Sequence, residues 1–74
     1  MDIELSPEEA FDMLEKISRG APKPGDTIVV ECESIEQRES LKAFGSLLLE
    51  RGFVKKIVAG GADKKELHVV IYLR

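Results

Sequence analysis

Thr27-Ile28-Val29-Val30-Glu31-Cys32 is short, β-branched and bounded by polar residues, so it reads as a strand. Two residues later Ser34 can cap a helix, and Gln37 stands three positions on, where a capping box needs a Glu or Gln. Leu41, Phe44, Gly45 and Leu48 recur at helical spacing after that cap. A glycine inside a helix costs about 1 kcal/mol against alanine, so Gly45 marks a close approach to another element. Gly52 ends the helix as its C-terminal cap, and Phe53 to Ala59 is apolar and β-rich again. Residues 27–59 therefore form a β-helix-β unit, which joins two parallel strands by a right-handed crossover.

The rest of the chain completes that unit on both sides. Ser6-Pro7-Glu8-Glu9 opens an earlier helix: Ser6 as the cap, Pro7 at the first helical position, and Glu9 closing a capping box. Ala10, Phe11, Leu14 and Ile17 form its apolar stripe, and Gly20, Pro22 and Pro24 stop it, giving a helix over about 7–19. Lys23-Pro24-Gly25-Asp26 is a turn into the strand at 27. After Ala59, Gly60 to Lys65 reads as a hairpin loop and Glu66 to Leu73 as the last strand. Ile3 and Leu5 alternate, so Met1 to Leu5 is a candidate first strand. The returning strand fits most simply between the two parallel ones. The expected fold is an α+β two-layer sandwich, (β)-α-β-α-β-β, with a mixed four-stranded sheet and two helices on one face.

Composition agrees with one folded domain, residues 1–74, and says little about function. The chain has 74 residues, 43% of them hydrophobic and 34% charged, an ordinary globular balance. No apolar run reaches the roughly 18 residues of a membrane span, and the first residues lack the pattern of a signal peptide. Cys32 is the only cysteine, which excludes an internal disulfide and points to a reducing cytoplasm. The net charge of −3 is unevenly spread. Residues 1–40 hold eleven acids and four bases, whereas residues 41–74 hold seven bases and three acids. An acidic total opposes general attraction to nucleic acid. Arg51, Lys55, Lys56, Lys64 and Lys65 are nonetheless a candidate basic patch around the last hairpin, of the kind a nucleic-acid or ribosome-associated module would use.

The order and spacing of these elements resemble the TusA/SirA-like family of small sulfur-carrier proteins. The likeness runs from Ser6 onward: an X-Pro opening of the first helix, the Lys23-Pro24-Gly25-Asp26 turn, a capped second helix containing Phe44, and Gly52 before a closing hairpin. The resemblance implies the same β-α-β-α-β-β sandwich. It also implies a Cys-Pro-X-Pro motif at the first helix, whose cysteine carries sulfur as a persulfide. Here the matching residues are Ser6, Pro7, Glu8 and Glu9. A hydroxyl cannot hold a transferable persulfide, so Ser6 is read as a helix cap.

Cys32 is then the one candidate for sulfur chemistry, since the end of its strand lies beside the start of the first helix. Alternation, however, puts Cys32 on the helix-covered face with Ile28 and Val30, where a cysteine acts as a small hydrophobe. Glu31 and Glu33 flank it and would raise its thiol pKa. His68 is the only histidine, so neither a zinc site nor a Ser-His-Asp arrangement can be assembled. No cofactor is expected, and Gly60-Gly61 precedes no helix that could cradle phosphate. The open sheet face is the best candidate surface: Val29, Val70 and Tyr72, with His68 and Val58, all point outward by alternation. The function expected is non-catalytic binding of a protein partner, or self-association, through that face. Sulfur carriage through Cys32 and a nucleic-acid or ribosomal role are the alternatives.

Overall fold

The structure is a computed structural model, and it describes residues 2–60 and 67–74. Its elements are β1 (Asp2–Leu5), α1 (Pro7–Ser18), β2 (Thr27–Glu31), α2 (Ile35–Glu50), β3 (Val54–Ala59) and β4 (His68–Leu73). The sheet order is β1-β2-β4-β3. β1 runs parallel to β2, while β4 is antiparallel to both β2 and β3, so the returning strand does insert between the two strands of the crossover. This is the expected α+β architecture of four mixed strands and two helices. The candidate strand at the N-terminus is present, and pairs Ile3 with Ile28 and Leu5 with Val30.

Each helix is delimited by the residues that announced it. Ser6 Oγ accepts from the Glu9 N–H at 3.2 Å, and Glu9 Oε1 accepts from the Ser6 N–H at 2.9 Å, a closed capping box. At the other end Gly20, with φ +98°, lets the Gly20 and Ala21 N–H groups reach Ile17 O and Lys16 O, both at 3.0 Å. Gly52, with φ +87°, closes α2 in the same way: its N–H reaches Leu49 O at 3.2 Å and that of Phe53 reaches Leu48 O at 2.9 Å. The start of α2 departs from the expected box. Ser34 Oγ does accept from the Gln37 N–H at 3.1 Å, but Gln37 Oε1 accepts from Glu33, one residue before the cap. Replacing Ser6 by alanine should cost about 1 kcal/mol, because two backbone donors lose their partner geometry together. Urea melts of the two proteins check this, and an unchanged midpoint would mean the box is not formed in solution.

The core lies between the helices and one face of the sheet. α1 contributes Ala10, Leu14 and Ile17, α2 contributes Leu41 and Leu48, and the sheet contributes Ile28, Val30, Val54, Val69, Ile71 and Leu73. Phe11 and Phe44 stack between the helices with ring centroids 6.0 Å apart. α2 rests directly on the sheet at Gly45, where an added Cβ would lie 2.8 Å from Ile57 Cδ1. That is the close approach its mid-helix glycine implies.

One irregularity sets which residues of β3 face outward. Val54 pairs with Leu73 and Lys56 with Tyr72, so two positions are used on β3 against one on β4, and Lys55 is the extra residue of a bulge. Without the bulge, alternation from Val54 would turn Lys56 and Val58 into the core. With it, Ile57 and Ala59 pack against the core and Lys56 and Val58 face away.

Candidate functional site: the open sheet face

The register assembles the outward residues into rows across the sheet, in the order β1-β2-β4-β3. The first is Asp2-Thr27-Tyr72-Lys56, in which Thr27 is itself buried, and the second is Glu4-Val29-Val70-Val58. A third, shorter row holds Glu31 and His68, with Gly60 bound to His68 O at 2.9 Å. Val29, Val70 and Tyr72, expected outward, are all on this face and half-buried among their neighbours, and Val58 is 43% exposed. Among the described residues, neither helix covers them, because both pack on the opposite face. The Lys56 Nζ lies 6.0 Å from the Tyr72 ring centroid, so the lysine stem and ring cover one another at the β3 side.

Charge is divided across this face. Asp2, Glu4 and Glu31 stand toward β1 and β2, while Lys56 stands on β3. Between the acids lies an open depression of about 390 Å³, lined by Glu4, Leu5, Val29, Glu31 and His68. His68 Nε2 and Glu31 Oε1 are 3.9 Å apart across the strands, with the carboxylate side chain 79% exposed. A pair so long and so wet contributes little. Among the described residues no group of three or more His, Cys, Asp or Glu side chains is placed to hold a metal.

The sulfur-motif position and the cysteine come to the same end of the sheet, since Leu5 pairs with Val30 and both strands run the same way. They do not form a reactive site. The Ser6 hydroxyl is committed to the Glu9 amide, and Pro7 is buried at the helix start. Cys32 follows β2 directly, is only 4% exposed and belongs to the core. Its N–H bonds Leu67 O at 2.9 Å, fixing the backbone there. Burial pushes its thiol above the ordinary 9.0, partly opposed by the Arg38 guanidinium. The flanking glutamates are not the cause expected of them: Glu31 is on the opposite face of the sheet and well hydrated.

Of the proposed basic patch, Arg51 is exposed at the end of α2, Lys55 is exposed at the start of β3 and Lys56 lies on the open face. Lys64 and Lys65 lie outside the described residues. No helix among the described residues is long and apolar enough to cross a membrane. Sequence reasoning named the apolar residues of the face and put Glu31 on the side of Val29, but missed Asp2 and Glu4, whose only signal was the alternation of a four-residue strand. No family model, curated protein or solved structure matches this chain.

Proposed function

We propose that this chain is a non-catalytic binding module resembling the TusA/SirA-like carriers, working in a reducing cytoplasm by docking a protein on its open sheet face. The resemblance rests on the motif residues around Ser6, the turn at 23–26, the second helix with Phe44, and the order β-α-β-α-β-β. The observation that carries the function is the apolar centre of the sheet that neither helix covers, Val29, Val70 and Val58, framed by separated acid and base. Chemistry has no comparable support. The motif position holds a hydroxyl engaged in a cap, and the one thiol is enclosed with its ionisation suppressed.

Two measurements test the reading. Intact-mass spectrometry after incubation with a cysteine desulfurase and cysteine is expected to show no sulfur added to Cys32. A reductant-sensitive gain of one sulfur atom, absent from Cys32→Ser, would replace this reading with sulfur carriage. Affinity capture from cells with wild type and with Val70→Lys should differ, the face variant losing the partner. Identical capture by the two proteins would remove the sheet face from the function.

A further inference from the structure

We propose that the open face pairs with the same face of a second copy of this chain, about a two-fold axis parallel to the strands. This rests on the reading of the face as a docking surface and names its occupant. Two identical sheets meeting face to face through a two-fold interface present the same patch to each other. Two axes in the interface plane are available, one across the strands and one along them. An axis across the strands lays β1 over β1 and β3 over β3. It keeps the acids of β1 facing the acidic strand of the other copy, Glu4 against Glu4 when the axis crosses the valine row, and keeps Lys56 facing β3, so no acid meets the lysine. Like charges opposed in this way are unfavourable.

An axis along the strands, between β2 and β4, reverses each row and lays it over itself. Asp2 then meets Lys56 of the second copy and Glu31 meets its His68. Thr27 meets Tyr72, and Val29 meets Val70 at the centre, where the axis passes. Glu4 meets Val58 with its carboxylate at the rim. The acidic side and the lysine side thus become complementary, and the valine centre is removed from water. Sheet twist crosses the strands of two such layers by about 30°, which displaces the outer pairs but leaves the central valines in register.

The footprint sets the strength. Four strands about 4.8 Å apart, each about five residues of 3.3 Å, cover roughly 300 Å² per copy, well below the roughly 800 Å² per partner of a standard stable interface. The dimer is therefore weak and concentration-dependent, with a dissociation constant on the order of 100 µM.

Sedimentation velocity from about 20 µM to about 1 mM tests this on wild type, Val70→Lys, Asp2→Lys, Lys56→Asp and the double swap. Wild type should move from monomer toward dimer, and Val70→Lys should stay monomeric with an unchanged circular dichroism spectrum. Each single charge swap should weaken association by about three- to tenfold, since the axis uses every pair twice, and the double swap should restore it. A wild-type monomer throughout, or a dimer indifferent to Val70→Lys, overturns the proposal, and so does a double swap no better than the singles. If wild type stays monomeric while Val70→Lys still abolishes capture of another protein, the second copy is excluded and the docking reading stands. If neither behaviour depends on Val70, both fall.

Discussion

Ile71→Ala is expected to remove about 3–4 kcal/mol of stability, whereas Val70→Ala, one residue earlier on the same strand, should remove less than about 1 kcal/mol. Both residues lie mid-strand in β4, between β2 and β3, so backbone position and strand propensity are shared. Only the face differs. Ile71 is fully buried in a row with Ile3, Ile28 and Ile57, and α2 lies over that row through Gly45. A Cβ on Gly45 would already be 3.9 Å from Ile71 Cδ1, so the helix backbone is at its closest approach to the sheet. The helix cannot move in to fill the space three lost carbons leave, and the cavity term is added to the transfer term. Against a total of roughly 4–11 kcal/mol for a chain this long, the loss is large enough to leave Ile71→Ala partly unfolded. Paired urea melts with matched slopes would show it. Equal losses at the two positions would mean that both faces of the sheet are covered, and the candidate site would go with the open face.

That contrast was legible because period-two alternation needs no tertiary information once a strand has been recognised. The caps and glycine stops of both helices were legible for the same reason, being local hydrogen-bond chemistry at Ser6, Gly20, Ser34 and Gly52. What escaped depends on partners distant in the sequence. β1 has only Ile3 and Leu5 as apolar residues, and its existence is settled by pairing with β2, more than twenty positions away. The bulge at Lys55 is likewise set by β4. Its one local trace is that Val54 and Ile57, three apart, both need burial, which strict alternation cannot give. Lys56 and the acids of β1 are consequently the part of the site that reading alone could not place, although they give the face its charge pattern. The Cys32 environment shows the reverse error. Its burial followed from alternation, but the cause of its raised pKa was assigned to Glu31 and Glu33 because they are neighbours in sequence. In an extended segment adjacent side chains point to opposite faces, and the cause is desolvation.

Cys32 should react with a thiol reagent at least about a thousandfold more slowly in the native protein than in urea, since only opening worth about 4 kcal/mol or more exposes it. Its place in the core, between the end of β2 and the start of α2, ties that opening to loss of packing against both layers. The pH dependence follows from the same burial. Well below pH 9 the thiol is protonated in both folded and unfolded chains and contributes nothing to the slope. As pH rises past the ordinary 9.0, the unfolded thiol ionises while the enclosed one holds its proton. The unfolded state then binds fewer protons, and stability falls with rising pH until the folded thiol also ionises. Cys32→Ala should lose some packing at every pH but lack this additional alkaline decline. A native labelling rate equal to that in urea, or identical alkaline slopes for the two proteins, would put the sulfur at the surface. A surface thiol at the end of the sheet where Ser6 starts α1 would then turn the functional question back from docking to sulfur transfer.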